Sequence, residues 1–259
     1  MAAPRSGERR VTGAAGAGAE GLGPSGRADG GRVAAMTAPP PPATHHPVPD
    51  PTRLFLLRHA LVEPSARTVF YGSMDVALCD LALQEEAALY RWLAFRLPRP
   101  AHWVVTNLAR TRATAAAIFA AGYPEQPLSI EPDLAEQHLG EWQGIAHEAL
   151  VERLRHPPHP FWPHAAEEQP PGGESFTQVQ ARVGPVLDRL AEAHAGGDVV
   201  IVAHGGSIRA ALAHALGLTG HQALAFSIRN LGLTRLEKHG ADWRIAAVNE
   251  EPWTAPDWE

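Results

Sequence analysis

Four stretches of this chain carry residues suited to handling a phosphoryl group. Arg58-His59 ends one apolar run, and His204-Gly205-Gly206 ends another. Arg110 follows a short apolar segment, and Glu136 lies in a stretch with neither helical nor strand periodicity. Phosphoryl transfer needs cations and N–H donors on the equatorial oxygens, an in-line nucleophile, and an acid for the leaving oxygen. A neutral imidazole is a nucleophile near neutral pH and forms a covalent phosphohistidine. Paired guanidinium groups hold phosphate through forked hydrogen bonds. A carboxyl beside a dianion keeps its proton more readily and can serve as general acid. Such a set is complete without a metal. Each residue also has a plainer reading: the arginines as surface charges, His204 as a satisfied turn histidine, Glu136 as a solvated loop acid.

For these side chains to meet, the elements that carry them must end at one edge. Leu54-Phe55-Leu56-Leu57 is a continuous apolar run, as in a strand buried on both faces at the centre of an α/β sheet. Asp198 to Ala203 repeats the pattern. Ligands of such sheets bind beyond the carboxyl ends of the strands, where Arg58-His59 and His204 fall. His102 to Val105 predicts a third strand and Leu128 to Ile130 a weak fourth. Ala225 to Ile228, Gly232 to Glu237 and Arg244 to Val248 read as edge strands.

Helical spacing runs from Leu81 to Phe95 and stops at Leu97-Pro98-Arg99-Pro100. Arg110 to Ala121 is alanine-rich and closed by Gly122. Ile145 to Leu154 reads as a short helix. A capping box at Ser175 and Gln178 opens a helix striped by Phe176, Val179, Val183, Leu187 and Leu190, in which Gly184-Pro185 predicts a kink. Ser207 to Leu216 is a further helix. Strand, polar turn and helix alternate, so the expected fold is a three-layer α/β/α sandwich with a mostly parallel central sheet. Arg155 to Gly173, rich in proline and histidine, reads as a lid or excursion. Its His156, His159 and His164 are spaced too irregularly for a metal site and read as a solvated loop.

A net charge of −6 over 259 residues and a pI near 6.2 leave no basic footprint for nucleic acid. An anion site must therefore be a local positive pocket. The single cysteine, Cys79, excludes an intrachain disulfide and points to a reducing, cytoplasmic compartment. No apolar run approaches the ~20 residues of a membrane span. Residues 1–50 are Ala-, Gly- and Pro-rich with few large apolar side chains, the composition of a disordered, dispensable tail. Met36 is a second candidate for the first residue, and the prolines from Pro39 to Pro51 read as a stiff leader. Globular sequence then fills 51–259.

With these residues in view, the chain resembles the histidine phosphatase superfamily, also called phosphoglycerate mutase-like. The family's Arg-His-Gly is similar to Arg58-His59-Ala60, and its Ser-x-Leu-x-Arg-x-x-x-Thr-Ala to Thr106 through Ala115. Its Leu-x-Glu-x-x-x-Gly-x-Trp-x-Gly resembles Leu134 to Gly144, and its second histidine motif resembles Val202-Ala203-His204-Gly205-Gly206. The resemblance implies His59 as phosphorylated nucleophile, with Arg58, Arg110 and His204 as phosphate clamp. Glu136 would be proton donor and then base for water. Gly205, Ser65, Arg67, Tyr71 and Glu174 complete the expected substrate contacts. No cofactor and no metal are expected; the partner is a small phosphorylated substrate, and the chain is a monomer or homodimer.

Departures from the family pattern narrow the activity. Ala60 replaces glycine, Leu61 replaces the Glu or Gln that often follows, Ser65 replaces an asparagine, and Gln137 stands where mutases carry arginine. These losses remove groups that hold a second phosphate or carboxylate, which favours a phosphatase over a mutase. Pro170-Pro171-Gly172-Gly173-Glu174-Ser175 and Tyr71-Gly72-x-x-Asp75 resemble the α-ribazole phosphatase branch. A phosphoglycerate-type mutase and a non-catalytic phospholigand-binding module are the rival readings. Trp142 and Trp162 are candidate pocket aromatics, with burial the stronger expectation for Trp142.

Overall fold

Side chains alternate across a strand, so the run Leu54 to Leu57 must feed two separate cores. The computed structural model, which describes residues 50–252, shows this arrangement. Leu54 and Leu56 enter one apolar cluster, and Phe55 and Leu57 enter another. The expected tail, with its polyproline run and His45-His46, lies outside the described residues.

In chain order the elements begin with β1 (Thr52–Arg58), α1 (Asp80–Glu85), α2 (Ala87–Arg96), β2 (His102–Val105), α3 (Ala109–Ala120) and β3 (Leu128–Ile130). They continue with α4 (Phe176–Ala193), β4 (Asp198–Ala203), α5 (Gly205–Leu216), α6 (Gly220–Ala223), β5 (Leu233–His239) and β6 (Asp242–Glu250). The strands form one sheet in the order β3-β2-β4-β1-β5-β6. The first four are parallel, and β5 and β6 are antiparallel additions. Helices α4, α5 and α6 pack on one face, and α2 and α3 on the other. This is the three-layer sandwich that the alternating pattern predicts. No helix of the described residues is long and apolar enough to cross a membrane.

One register matters for the site. β1 and β4 are parallel neighbours with Arg58 opposite Ala203. His59 and His204 follow immediately, so the two imidazoles leave the sheet side by side. The His59 N–H donates to the Ala203 carbonyl at 2.9 Å, extending the ladder by one bond.

Several expectations need correction. The helix from Leu81 to Phe95 is two helices, because the backbone leaves helical geometry at Glu86 (φ −89°, ψ 13°). Ile145 to Leu154 forms two short 3-10 turns, His147–Ala149 and Val151–Arg153, instead of a helix. Ala225 to Ile228 is not a strand. Its carbonyls are taken by side chains instead of a neighbouring strand: Phe226 by Arg209, Ser227 by Asn249, and Ile228 by Arg58. β5 lies between β1 and β6 and so is not an edge. The Ser175 capping box forms as expected, and α4 runs on through Pro185.

The excursion from Arg155 to Gly173 is tied at its base. Glu168 is fully buried and accepts hydrogen bonds from the Arg155 and His156 amides at 3.1 and 2.8 Å. His159 and His164 are buried, contrary to the solvated loop expected of them. His159 packs against His221 with ring centroids 4.4 Å apart, and His164 packs against Trp142 at 5.8 Å. Those partners come from outside the loop, so its local composition could not reveal them.

Candidate active site

The His59 ring is aimed by its own backbone. Nδ1 lies 2.7 Å from the Ala60 carbonyl, which can only accept, so the proton sits on Nδ1 and Nε2 keeps its lone pair. The Ala60 amide donates to Thr114 Oγ1 at 3.0 Å, and Asn230 Nδ2 donates to the His59 carbonyl at 2.8 Å. The Ala60 methyl is buried within a core layer, where its small size is accommodated. His59 is itself almost fully buried. Burial, then the charges of Arg110 and Arg58, lower its pKa well below the ordinary histidine value. The ring is therefore a neutral base at physiological pH.

His204 stands opposite, its ring centroid 5.2 Å from that of His59 with the planes 58° apart. Both rings can reach one tetrahedral oxyanion. His204 is the N-cap residue of α5, and its backbone amide donates to Ser207 Oγ at 3.1 Å. Arg110 Nε donates to His204 Nδ1 at 3.3 Å, so the ring proton lies on Nε2, 2.9 Å from Thr106 Oγ1. Burial, then Arg110 and His59, keep this imidazole neutral too.

Arg110 is buried at the start of α3 and held from three sides. Nη1 and Nη2 donate to the Met74 and Gly72 carbonyls at 2.6 and 2.8 Å, and the guanidinium lies 5.4 Å above the Tyr71 ring. Each Nη retains a second N–H for an anion. The Tyr71 to Asp75 loop is thus the scaffold for Arg110, and Asp75 ties it to α3 by accepting from the Ala109 amide at 2.8 Å. Arg58 donates from Nη1 to the Ile228 carbonyl at 2.6 Å, while its buried Nε has no partner among the described residues.

Glu136 faces α5. Its carboxylate accepts from its neighbour's amide, Gln137, at 2.9 Å and from the Gly206 amide at 3.2 Å. A β-carbon on Gly206 would sit 2.2 Å from Glu136 Oε1, so only glycine allows this approach. Arg182, from α4, braces the same segment by donating to the Glu136 and Asp133 carbonyls at 3.4 and 2.7 Å.

Arg58, Tyr71, Glu136, Gly205 and Arg209 are among the residues lining a cavity of about 280 Å³, while His59, Arg110 and His204 are not part of its lining. Phe70, Leu139, Trp162 and Pro163 give it an apolar and aromatic wall. The size suits a small metabolite. Trp142, in contrast, is buried as core.

Of the predicted substrate contacts, Tyr71 and Gly205 line this cavity, whereas Ser65 and Arg67 do not. Both are exposed around a 3-10 turn, Ala66–Thr68. Glu174 is also misassigned as a substrate contact. Its carboxylate is engaged by Arg182 at 2.8 and 3.0 Å and by the His138 amide at 2.9 Å. It anchors the Glu136 segment to α4. Arg182, Arg209, Thr106 and Asn230 were missed by the sequence reading. Arg209 had a signal, since a charge inside the apolar helix Ser207 to Leu216 requires an interior partner.

Sequence and fold comparisons place the chain in a family. The family model described as histidine phosphatase superfamily (branch 1) matches residues 54–251. A glucosyl-3-phosphoglycerate phosphatase of Mycolicibacterium vanbaalenii is 37% identical over 173 residues, covering 64% of this chain and 75% of the relative. A metal-independent phosphoserine phosphatase of Arabidopsis thaliana is 29% identical over 160 residues, 61% of this chain and 66% of the relative. The α-ribazole phosphatase structure from Shigella flexneri superposes with a TM-score of 0.62 over 76% of this chain and 96% of that one. At 19% identity it shares the fold.

Proposed function

Because this chain belongs to the histidine phosphatase superfamily, we propose that it hydrolyses small phosphomonoesters through phospho-His59, without a metal. The observation that carries this reading is the pair of buried, neutral imidazoles 5.2 Å apart, with Arg58 and Arg110 beside them.

In this scheme His59 Nε2 attacks phosphorus and the bond from phosphorus to the leaving oxygen breaks. Glu136 gives its proton to that oxygen, and the alcohol departs. Water then attacks the phosphohistidine, Glu136 takes the water's proton, and the N–P bond breaks to release phosphate. Arg58, Arg110 and His204 hold the equatorial oxygens throughout, where charge is best matched by fixed donors. Relatives named as glucosyl-3-phosphoglycerate and phosphoserine phosphatases support hydrolysis of a small phosphorylated metabolite. α-Ribazole 5'-phosphate keeps a place among the substrates to be tried on fold similarity alone.

The test is turnover of p-nitrophenyl phosphate with and without EDTA, alongside acid quench of the enzyme with labelled substrate. The expected result is EDTA-insensitive turnover and acid-labile protein phosphate, both lost in His59→Ala. No turnover from acidic to neutral pH would leave a binding module, and loss with EDTA would reveal a required metal. Rapid interconversion of 2- and 3-phosphoglycerate with the bisphosphate primer would make the chain a mutase.

A further inference from the structure

Arg209 takes no part in that scheme, yet it borders the same cavity. It sits on α5 at 6% exposure. Nε donates to the Phe226 carbonyl at 2.7 Å, whereas buried Nη1 has no hydrogen-bond partner among the described residues. Leaving a charged donor unpaired in the interior is costlier than leaving a neutral one. Burial lowers the Arg209 pKa to about 10, with Glu136 opposing that shift, so the group is still a cation near neutral pH.

The guanidinium is held over an aromatic platform. Its Cζ lies 4.2 Å from the centroid of the Trp162 ring. Trp162 is oriented in turn by His164, whose Nε2 accepts the indole N–H at 3.2 Å. His164 Nδ1 lies 2.9 Å from the Ala165 carbonyl; a carbonyl only accepts, so the ring proton is on Nδ1 and Nε2 is left to accept. Trp162 and His164 from one segment and the Phe226 carbonyl from another thus fix one charge.

Its position relative to the phosphate clamp is set by Gly205. A β-carbon there would lie 3.0 Å from Arg209 Nη1 and 3.6 Å from Arg58 Nε. The two guanidinium groups therefore flank one glycine. Both arginines line the same cavity, so a substrate whose phosphoryl group rests on Arg58 has Arg209 on the border of the space it occupies.

We propose that Arg209, stacked on Trp162, is a specificity-determining residue that receives a carboxylate two or three bonds from the phosphoester oxygen. A planar monoanion matches one guanidinium edge. A second phosphate is a poorer occupant, because a dianion there would meet Glu136 and apolar walls with only one further cation. The proposal rests on the hydrolase reading and names the substrate class of that site.

The experiment compares kcat/KM for two pairs: O-phosphoserine with O-phosphoethanolamine, and 3-phosphoglycerate with glycerol 3-phosphate. The wild type should favour the carboxylated member of each pair at least tenfold. Arg209→Gln should bring that ratio close to one, mainly through KM, with Arg209→Lys between them and Trp162→Leu also lowering it. A wild type that hydrolyses p-nitrophenyl phosphate but shows no carboxylate preference overturns the subsite alone. Absence of p-nitrophenyl phosphate turnover overturns the hydrolase reading and the subsite with it. Equal losses for both members in Arg209→Gln would make the residue part of the phosphate clamp and also overturn the proposal. If that variant does not fold, the wild-type ratio and Trp162→Leu still decide.

Discussion

In the proposed reaction, His204 would meet an incoming phosphate from an unready state. Arg110 Nε–H points at its Nδ1, and burial, with Arg110, His59, Arg58 and Arg182 nearby, keeps the ring neutral. To donate to a phosphate oxygen from Nδ1 it must first take up a proton. A dianion placed beside it reverses the local charge and makes that uptake favourable. Binding of tungstate, a dianion that does not titrate near neutrality, should therefore draw up to about one proton at pH 7. Calorimetry in buffers of different ionisation enthalpy measures the number directly. Zero uptake in the wild type, or the same uptake in His204→Gln, would defeat this account.

At the scale of elements, the segment of Glu136, the proposed proton donor, depends on outside support. Glu136 lies on no helix or strand; α4 holds it through Arg182 and Glu174. Arg182→Ala should lower kcat for alkyl phosphates by roughly 10–10²-fold, the range that small misplacement of a reacting group produces. p-Nitrophenyl phosphate, whose leaving group needs little protonation, should lose much less. Partial rescue by Arg182→Lys is expected, and equal losses for both substrates would refute a positioning role.

The same elements show what could be read from the chain beforehand. β1 and β4 were legible because burial on both faces leaves a continuous apolar run, and α4 because its cap and stripe are local. Arg58, His59, Arg110, Glu136 and His204 stood out as a set, and the structure gathers them. Ala225 to Ile228 misled because its apolar side chains say nothing about where its carbonyls go. Ser65 and Arg67 stand near the His59 motif and Glu174 within the Pro170 to Ser175 resemblance, whereas the cavity takes its wall from the distant Trp162, His164 and Arg209.

For the whole molecule, two buried neutral imidazoles make stability depend on pH in a definite direction. His59 and His204 titrate well below 6.5 when folded and near 6.5 when unfolded. Below that value the unfolded chain binds more protons, so stability falls as pH drops from 6.5 toward their depressed values. Each proton gained on unfolding adds about 1.4 kcal/mol per pH unit to the slope. Urea midpoints should rise from pH 5 to about 6.5 and level off above it, with a shallower rise in His204→Gln. A flat profile between pH 5 and 6.5 would contradict the neutral pair.

The pairing of β1 with β4 also has a consequence during synthesis. Arg53 of the first strand meets Asp198 across 145 residues of chain, and its other flank waits longer still for β5. A nascent polypeptide leaving the ribosome therefore carries Leu54 to Leu57 without a partner for most of translation, open to chaperones and to sticking. The candidate site can be completed only after β4 and His204 have been made, and a shortened transcript lacking the last third lacks both.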